Sequence, residues 1–333
     1  MKTCRMIVTL PALMLCACPL FGQSDSQSSL PETAPQPHAG CQRPQSLNVN
    51  QLALLRWYRA NVVANFPTGG PALGIAFDGS SMWTVGGNNT VLKLRASDGA
   101  ALGQFPVGNV PGYIAYDGAN VWVTNLLDNT VSKLRGSDGA SLGTFPTGTW
   151  PWGIAFDGED IWVGNIKDNT VSKLRPSAGA TLGVFPSGPN PISLASDGEN
   201  IWVTNQNGAD TVTELRASDG ALLGTFPVGS NPVGVTFDGS SIWVANQGSN
   251  NVTRLRTKDG HRLGTFPVGS KPQFIAFDGT NVWITNQGSN NVTKLRACDG
   301  TLLGTFPVGD SPTPIAFDGA NIWVSNQGTV SKL

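Results

Sequence analysis

Apolar residues in this chain come in short runs of three to five, parted by polar turns, and the arrangement recurs. Within residues 231–269 the runs are Val235-Thr236-Phe237, Ile242-Trp243-Val244-Ala245, Val252-Thr253-Arg254-Leu255-Arg256 and Leu263-Gly264-Thr265-Phe266. β-Branched, aromatic and leucine side chains dominate them, and none is long enough for a helix, so each reads as a strand. Asp238-Gly239 parts the first two runs and Asp259-Gly260 the last two. Such pairs predict tight type I′ hairpins, in which both central residues take positive φ. A polar loop, residues 246–251, joins runs two and three. Residues 227–232, Pro-Val-Gly-Ser-Asn-Pro, join one set of four to the next. Their prolines have no N–H for a ladder, which predicts that the chain leaves the sheet there.

The set of four repeats along the chain. Phe-Pro-x-Gly falls at Phe66, Phe105, Phe145, Phe185, Phe226, Phe266 and Phe306, at spacings of 39 to 41 residues. Four short strands per period near 40 is the plan of a β-propeller, whereas solenoid coils are shorter and lack two hairpins per turn. An element of the type Ile-Ala-Phe-Asp-Gly occurs seven times, with Asp78, Asp117, Asp157, Asp197, Asp238, Asp278 and Asp318. The last copy ends at Leu333 after three strands, and residues 62–67 offer the fourth. The expected fold is all-β: a seven-bladed propeller of four antiparallel strands per blade. Its N-terminal strand completes the C-terminal blade and removes the edges of an open ring.

Three segments precede or flank that ring. Residues 1–22, with Lys2 and Arg5 before an apolar stretch to Phe21, read as a signal peptide too short to span a bilayer. Leu15-Cys16-Ala17-Cys18 also resembles a lipobox, and in that alternative Cys18 carries a lipid and ties the protein to a membrane. Residues 23–50 are rich in Ser, Gln and Pro and read as a disordered spacer. Residues 51–333 form the propeller domain. Its first ten residues, with Leu52, Leu55 and Tyr58, read as a short helix or a decayed third strand packed on the last blade. The expected location is exported: periplasmic, cell-surface or extracellular. The terminal Ser-Lys-Leu recurs inside the repeats at 132–134 and 172–174, so it is not read as a peroxisomal address. Outside the signal only Cys41 and Cys298 remain. In an oxidising compartment they form a possible disulfide, with two free thiols as the alternative.

A net charge of −1, with 13% charged residues, leaves no basic patch for nucleic acid. A monomer is expected, and no cofactor motif is present. The two histidines, His38 in the spacer and His261 beside a strand 3–4 turn, cannot form a paired metal site or a triad. Twelve of 22 acids are turn aspartates, and twelve of 21 basic residues fall in the third-strand motif. Residues repeated in nearly every blade serve the blade. The same holds for Trp83, Trp122, Trp162, Trp202, Trp243, Trp283 and Trp323, which share one slot in strand two. Glycosylation sequons at Asn251 and Asn291 are by-products of the repeat.

Departures from the repeat are therefore the candidates. Turns 1–2 and 3–4 lie on one face of the ring, the turn face. Loops 2–3 and the crossings between blades lie on the other, the crossing face. There Trp150 and Trp152 stand in the crossing into blade three and Tyr113 in that into blade two. Asp128, Asp168 and Asp210 stand in the 2–3 loops of blades two, three and four. Aromatic faces beside carboxylates and amides suit a polar ligand, a carbohydrate or a protein. The alternative is that the two tryptophans pack on each other. No catalytic residue and no metal ligand is assigned.

Trp122-Val123-Thr124-Asn125 and Trp202-Val203-Thr204-Asn205 carry a further signal, with variants at Trp243-Val244-Ala245-Asn246 and Trp283-Ile284-Thr285-Asn286. With the preceding Pro-x-x-Ile-Ala-Phe-Asp-Gly and the following Val-x-Lys-Leu-Arg, these strands resemble the YVTN family of exported bacterial and archaeal β-propellers, with Trp for Tyr. The resemblance covers about residues 62–333 and implies a propeller fold without fixing an activity. More distantly the architecture resembles the streptogramin (virginiamycin B) lyases, which use histidine and glutamate with a magnesium ion. No histidine is expected on the crossing face here, so that mechanism does not carry over. The expected role is a non-catalytic binding or scaffold module. The alternative is a lyase or hydrolase with an acid-based metal site on the crossing face.

Overall fold

The computed structural model describes residues 64–70 and 72–333. The expected signal, spacer and 51–60 appendage, with Cys18, His38 and Cys41, lie outside the described residues. Twenty-eight strands form seven four-stranded antiparallel sheets, and among the described residues there is no helix. The sheets stand in a ring as seven blades, the all-β propeller that the period predicts. Blade one runs from strand Ile75–Phe77 to strand Ala101–Pro106, and the next five follow in chain order. Blade seven joins Ile315–Phe317, Ile322–Ser325 and Thr329–Lys332 to the strand Ala64–Pro67. Ala64 lies opposite Lys332 and Phe66 opposite Val330. The Phe66 ring stacks 5.6 Å from Trp323, and Lys332 Nζ donates to the Ala96 carbonyl of blade one at 2.6 Å. The ends of the chain thus close the ring.

One set of contacts makes each blade. The turn aspartate and the strand-two tryptophan are five residues apart, and each Trp Nε1 donates to its Asp Oδ2 at 2.7–2.8 Å. The other Asp oxygen accepts the backbone N–H groups two and three residues on, as in Ser80 and Ser81 to Asp78. Burial raises the Asp78 carboxyl, but the bonds from Trp83, Ser80 and Ser81 outweigh it and hold the group below its usual value. The indole of Trp243 then faces Phe266 of the outermost strand at 5.4 Å, and six of the other blades repeat this pair at 5.3–5.6 Å. Core clusters cross from blade to blade. Trp202 and Val212 of blade four pack with Val235, Ile242, Val244 and Leu255 of blade five. Neighbours therefore bury each other's faces, which a lone blade could not do.

Two expectations need correction. The Asp-Gly turns are not type I′: only the glycine takes positive φ, 89° at Gly239 and 65° at Gly260. The aspartate instead keeps a negative φ and closes the turn through its carboxylate. Nor does the chain leave the sheet at the prolines. Pro232 pairs with Asn246 ahead of a bulge before Val235, and Pro267 pairs with Asn251. Each proline sits at a strand end on the innermost or outermost strand, where a missing N–H leaves no ladder bond unmade.

Candidate ligand site on the crossing face

The crossings into blades two to seven are held by side chains from the loops they pass. In blades two, three and five the buried asparagine that ends strand two accepts the N–H of the crossing glycine: Asn125 from Gly108 at 3.0 Å, Asn165 from Gly148 at 3.1 Å, Asn246 from Gly229 at 3.1 Å. A Cβ on Gly108 would lie 2.5 Å from the Asn125 side chain, so the approach requires glycine. The next N–H goes to the 2–3 loop. Asp128 accepts it from Asn109 at 2.7 Å and Asp168 from Thr149 at 2.6 Å, while Ser249 and Ser289 do the same in blades five and six at 3.1 Å. The third N–H goes to an asparagine with positive φ, such as Asn129 or Asn250, and in blade four that residue is Asp210, 2.8 Å from Asn231 N. The three candidate aspartates are therefore clasps of the crossings. Both Asp128 oxygens accept from Asn109, whose backbone N–H and side-chain amide hold the carboxyl below its usual value.

The aromatic candidates part company. The crossing residue that follows the clasp takes positive φ in six blades, and Trp150 occupies it at 59° where blades four and five have asparagine. A left-handed conformation costs a bulky residue about 1–2 kcal/mol. Trp150 is 38% exposed, and Lys167 Nζ stands 4.2 Å from its ring centroid. Trp152, two residues on, turns inward. Its ring meets Tyr113 edge-on at 5.4 Å, and Tyr113 meets Phe274 at 5.3 Å. The two tryptophans do not pack on each other. Tyr113 is in blade two and Phe274 in blade six, so this contact bridges the central channel. All three rings are half-buried. Burial pushes the Tyr113 hydroxyl above its ordinary value, partly offset by a hydrogen bond with Trp152.

The innermost strands explain how rings fit there. The slot four residues before the turn aspartate holds Gly74, Tyr113, Gly153, Ser193, Gly234, Phe274 and Pro314 in blades one to seven. At Gly74 a Cβ would come 2.6 Å from the Gly112 carbonyl, and at Gly234 one would come 2.5 Å from that of Gln273. The strands of Gly74 and Gly234 thus approach closely the strands that carry Tyr113 and Phe274. Phe274 shares the slot of Tyr113 and was legible by the same test, but its blade is otherwise regular.

The turn face carries departures of its own. Glu159, Asp160, Glu199 and Glu214 replace small or amide residues, and in the last case a base. A cleft of about 570 Å³ lies among Asp157, Glu159, Glu199, Asn200 and Arg216, and a second of about 480 Å³ among Lys133, Glu159, Asp160 and Arg175. Asp160 is buried and paired to Lys173 at 3.0 Å, with its Oδ1 unbonded. Ala178 stands where other blades have a turn aspartate, so Arg175 lacks the ion pair that Arg135 makes with Asp138. His261 also lies on this face, its N–H bonded to Asp259. Cys298 is disulfide-bonded, and its expected partner, Cys41, lies outside the described residues. Among the described residues no three His, Cys, Asp or Glu side chains converge as a metal site.

No family model and no curated protein matches the chain. Among solved structures it is similar to a hydrazine synthase chain of Kuenenia stuttgartiensis, with a TM-score of 0.72 at 19% identity over 82% of this chain and 97% of that one. It is also similar to a streptogramin B lyase, with a TM-score of 0.68 at 20% identity over 81% and 95%. At such identities the likeness shows a shared propeller architecture and nothing finer.

Proposed function

We propose that this propeller is an exported, non-catalytic binding module whose ligand docks at the crossing-face mouth of the channel. The observation that carries the reading is the cluster of Tyr113, Trp152 and Phe274, which converge from blades two, three and six and remain half-buried. Trp150 adds an exposed indole on the same crossing. The surrounding loops offer amides, among them Asn109, Asn129, Asn190 and Asn231. Flat aromatic faces ringed by amide donors and acceptors suit a polar ligand with an apolar face, of which a carbohydrate ring is the simplest example. Export rests on the N-terminal sequence and on the resemblance of the strands to YVTN propellers. An acid-based metal site is disfavoured because the clasp carboxylates Asp128, Asp168 and Asp210 are already bonded to backbone.

A glycan array probed with the intact mature protein tests the reading. Trp150→Asn supplies the residue that blades four and five use at positive φ, so it should melt no lower than the parent. Array binding should nevertheless fall at least about tenfold, the weight of one aromatic contact of ~1.4 kcal/mol. Unchanged binding in both Trp150→Asn and Tyr113→Ala would place the ligand elsewhere, and an array without hits would remove carbohydrate from the proposal.

A further inference from the structure

Seven equivalent positions in strand three face the turn side of the ring, and six hold a cation. Lys93, Lys133, Lys173, Arg254, Lys294 and Lys332 stand 4.3–5.3 Å from the tryptophan centroids of their own blades. Five of them also reach into the next blade and donate to a carbonyl of its strand 3–4 turn. Lys93 meets Gly136, Lys133 Pro176, Lys173 Ala217, Arg254 Cys298 and Lys332 Ala96, at 2.6–2.9 Å. Each such cation stitches one seam between blades. In blade four the position is Glu214, a side chain that cannot donate when ionised.

Glu214 is only 6% exposed. Asn200 Nδ2 donates to its Oε1 at 2.8 Å, and Asp197 is the charged neighbour that acts on it. Other charges on the surrounding elements are engaged. Lys173 of blade three pairs with Asp160, Arg216 with Asp219, Arg254 of blade five with Asp238, and Arg256 with Asp259. Asp157, Glu159 and Glu199 add negative charge on the turns of blades three and four. Lys258, in the blade-five turn that a lysine at 214 would meet, is exposed and its field is screened by solvent.

We propose that the seam between blades four and five is a proton-operated catch, closed when Glu214 is neutral and loosened when it ionises. The neutral carboxyl has an O–H donor where sister blades present an N–H donor, and it puts no second charge beside Asp197. The ionised form is acceptor-only and buried against a like charge, which favours opening of the seam to water. Burial, with Asp197 adding to it, pushes Glu214 up to about 7. A raised carboxyl stabilises the fold below its unfolded value near 4.5, and that contribution is lost as pH rises toward about 7. The catch thus works across the neutral range.

Hydrogen exchange on the intact protein tests this, with labelling times scaled for the intrinsic pH dependence of exchange. Between pH 5.5 and 8, protection in peptides from residues 211–221 and 251–262 should fall at least about tenfold relative to the blade one–two and two–three seams. Glu214→Gln cannot ionise and should flatten that dependence. Glu214→Lys should bring the seam to the protection of its sisters at every pH. The proposal is overturned if parental protection at this seam follows the sister seams throughout, or if Glu214→Gln keeps the parental pH dependence.

Discussion

Blades five and six and blades three and four are built on one plan, yet they treat that plan differently. In blade five the strand-three cation, Arg254, stitches the seam, Ser249 clasps the crossing, and Asn231 takes the left-handed position. In blades three and four the same slots hold Glu214, Asp168 and Trp150. The comparison separates two kinds of departure. Asp168 bonds the same N–H that serine bonds elsewhere, so it changes the residue without changing the job. Trp150 and Glu214 bring side chains that none of their sisters has, and each carries a cost in strain or buried charge. A repeat protein is its own control, and only departures of the second kind call for a function.

The largest expected effect comes from breaking what all blades share. Removing residues 311–333 takes three strands of blade seven and leaves the strand Ala64–Pro67 unpaired. The ring then opens, and the parental cooperative transition should vanish from a calorimetric scan. An unchanged midpoint would mean that closure contributes nothing. Next is Trp243→Ala. It deletes a fully buried indole, its contact with Phe266, and the donor to Asp238. Such a truncation costs about 3–5 kcal/mol, and chemical denaturation would show it.

Copying the blade-four arrangement elsewhere sharpens the comparison further. Lys133 is buried, lies 5.1 Å from the Trp122 centroid and donates to Pro176 O at 2.6 Å. Lys133→Glu should cost about 2–3 kcal/mol at pH 8, as a lost charged hydrogen bond and a lost cation–π contact. It should cost less at pH 5.5, because the new carboxyl can accept a proton. Denaturation midpoints at the two pH values check the sign. An equal cost at both would mean that a carboxylate in this slot does not respond to pH, which would also weaken the catch at Glu214.

Much of the architecture was legible because it is periodic. The spacing of Phe-Pro-x-Gly and the unpaired last blade fix seven blades and their closure. Tyr113 and Trp152 stood out as large aromatic residues in slots where, Phe274 apart, the other blades have none. Two things were not legible. The bridge from Tyr113 to Phe274 joins blades that are distant in sequence and meet only because the ring is narrow. The clasp role of Asp128, Asp168 and Asp210 depends on which N–H the loop presents, and an exposed aspartate in a loop gives no sign of that. Glu214 could have been read from the sequence, since it is the one acid among seven strand-three positions. A count of the bases there passes over the blade that lacks one.

The smallest expected effect bears on whether the clasp aspartates also touch a ligand. Asp128 receives the Asn109 backbone N–H at 2.7 Å and the Asn109 side-chain amide at 2.8 Å. Ser249 manages the equivalent backbone bond with a hydroxyl at 3.1 Å. Asp128→Ser therefore keeps the backbone bond, gives up only a solvent-exposed amide bond, and should leave the melting temperature nearly unchanged. It should leave array binding unchanged, because neither carboxylate oxygen is directed to anything but the crossing. Binding that falls tenfold at an unchanged melting temperature would return Asp128 to the ligand site. That result would make the carboxylate both clasp and contact, and it would reopen the same question for Asp168, whose Oδ2 makes the matching bond to Thr149.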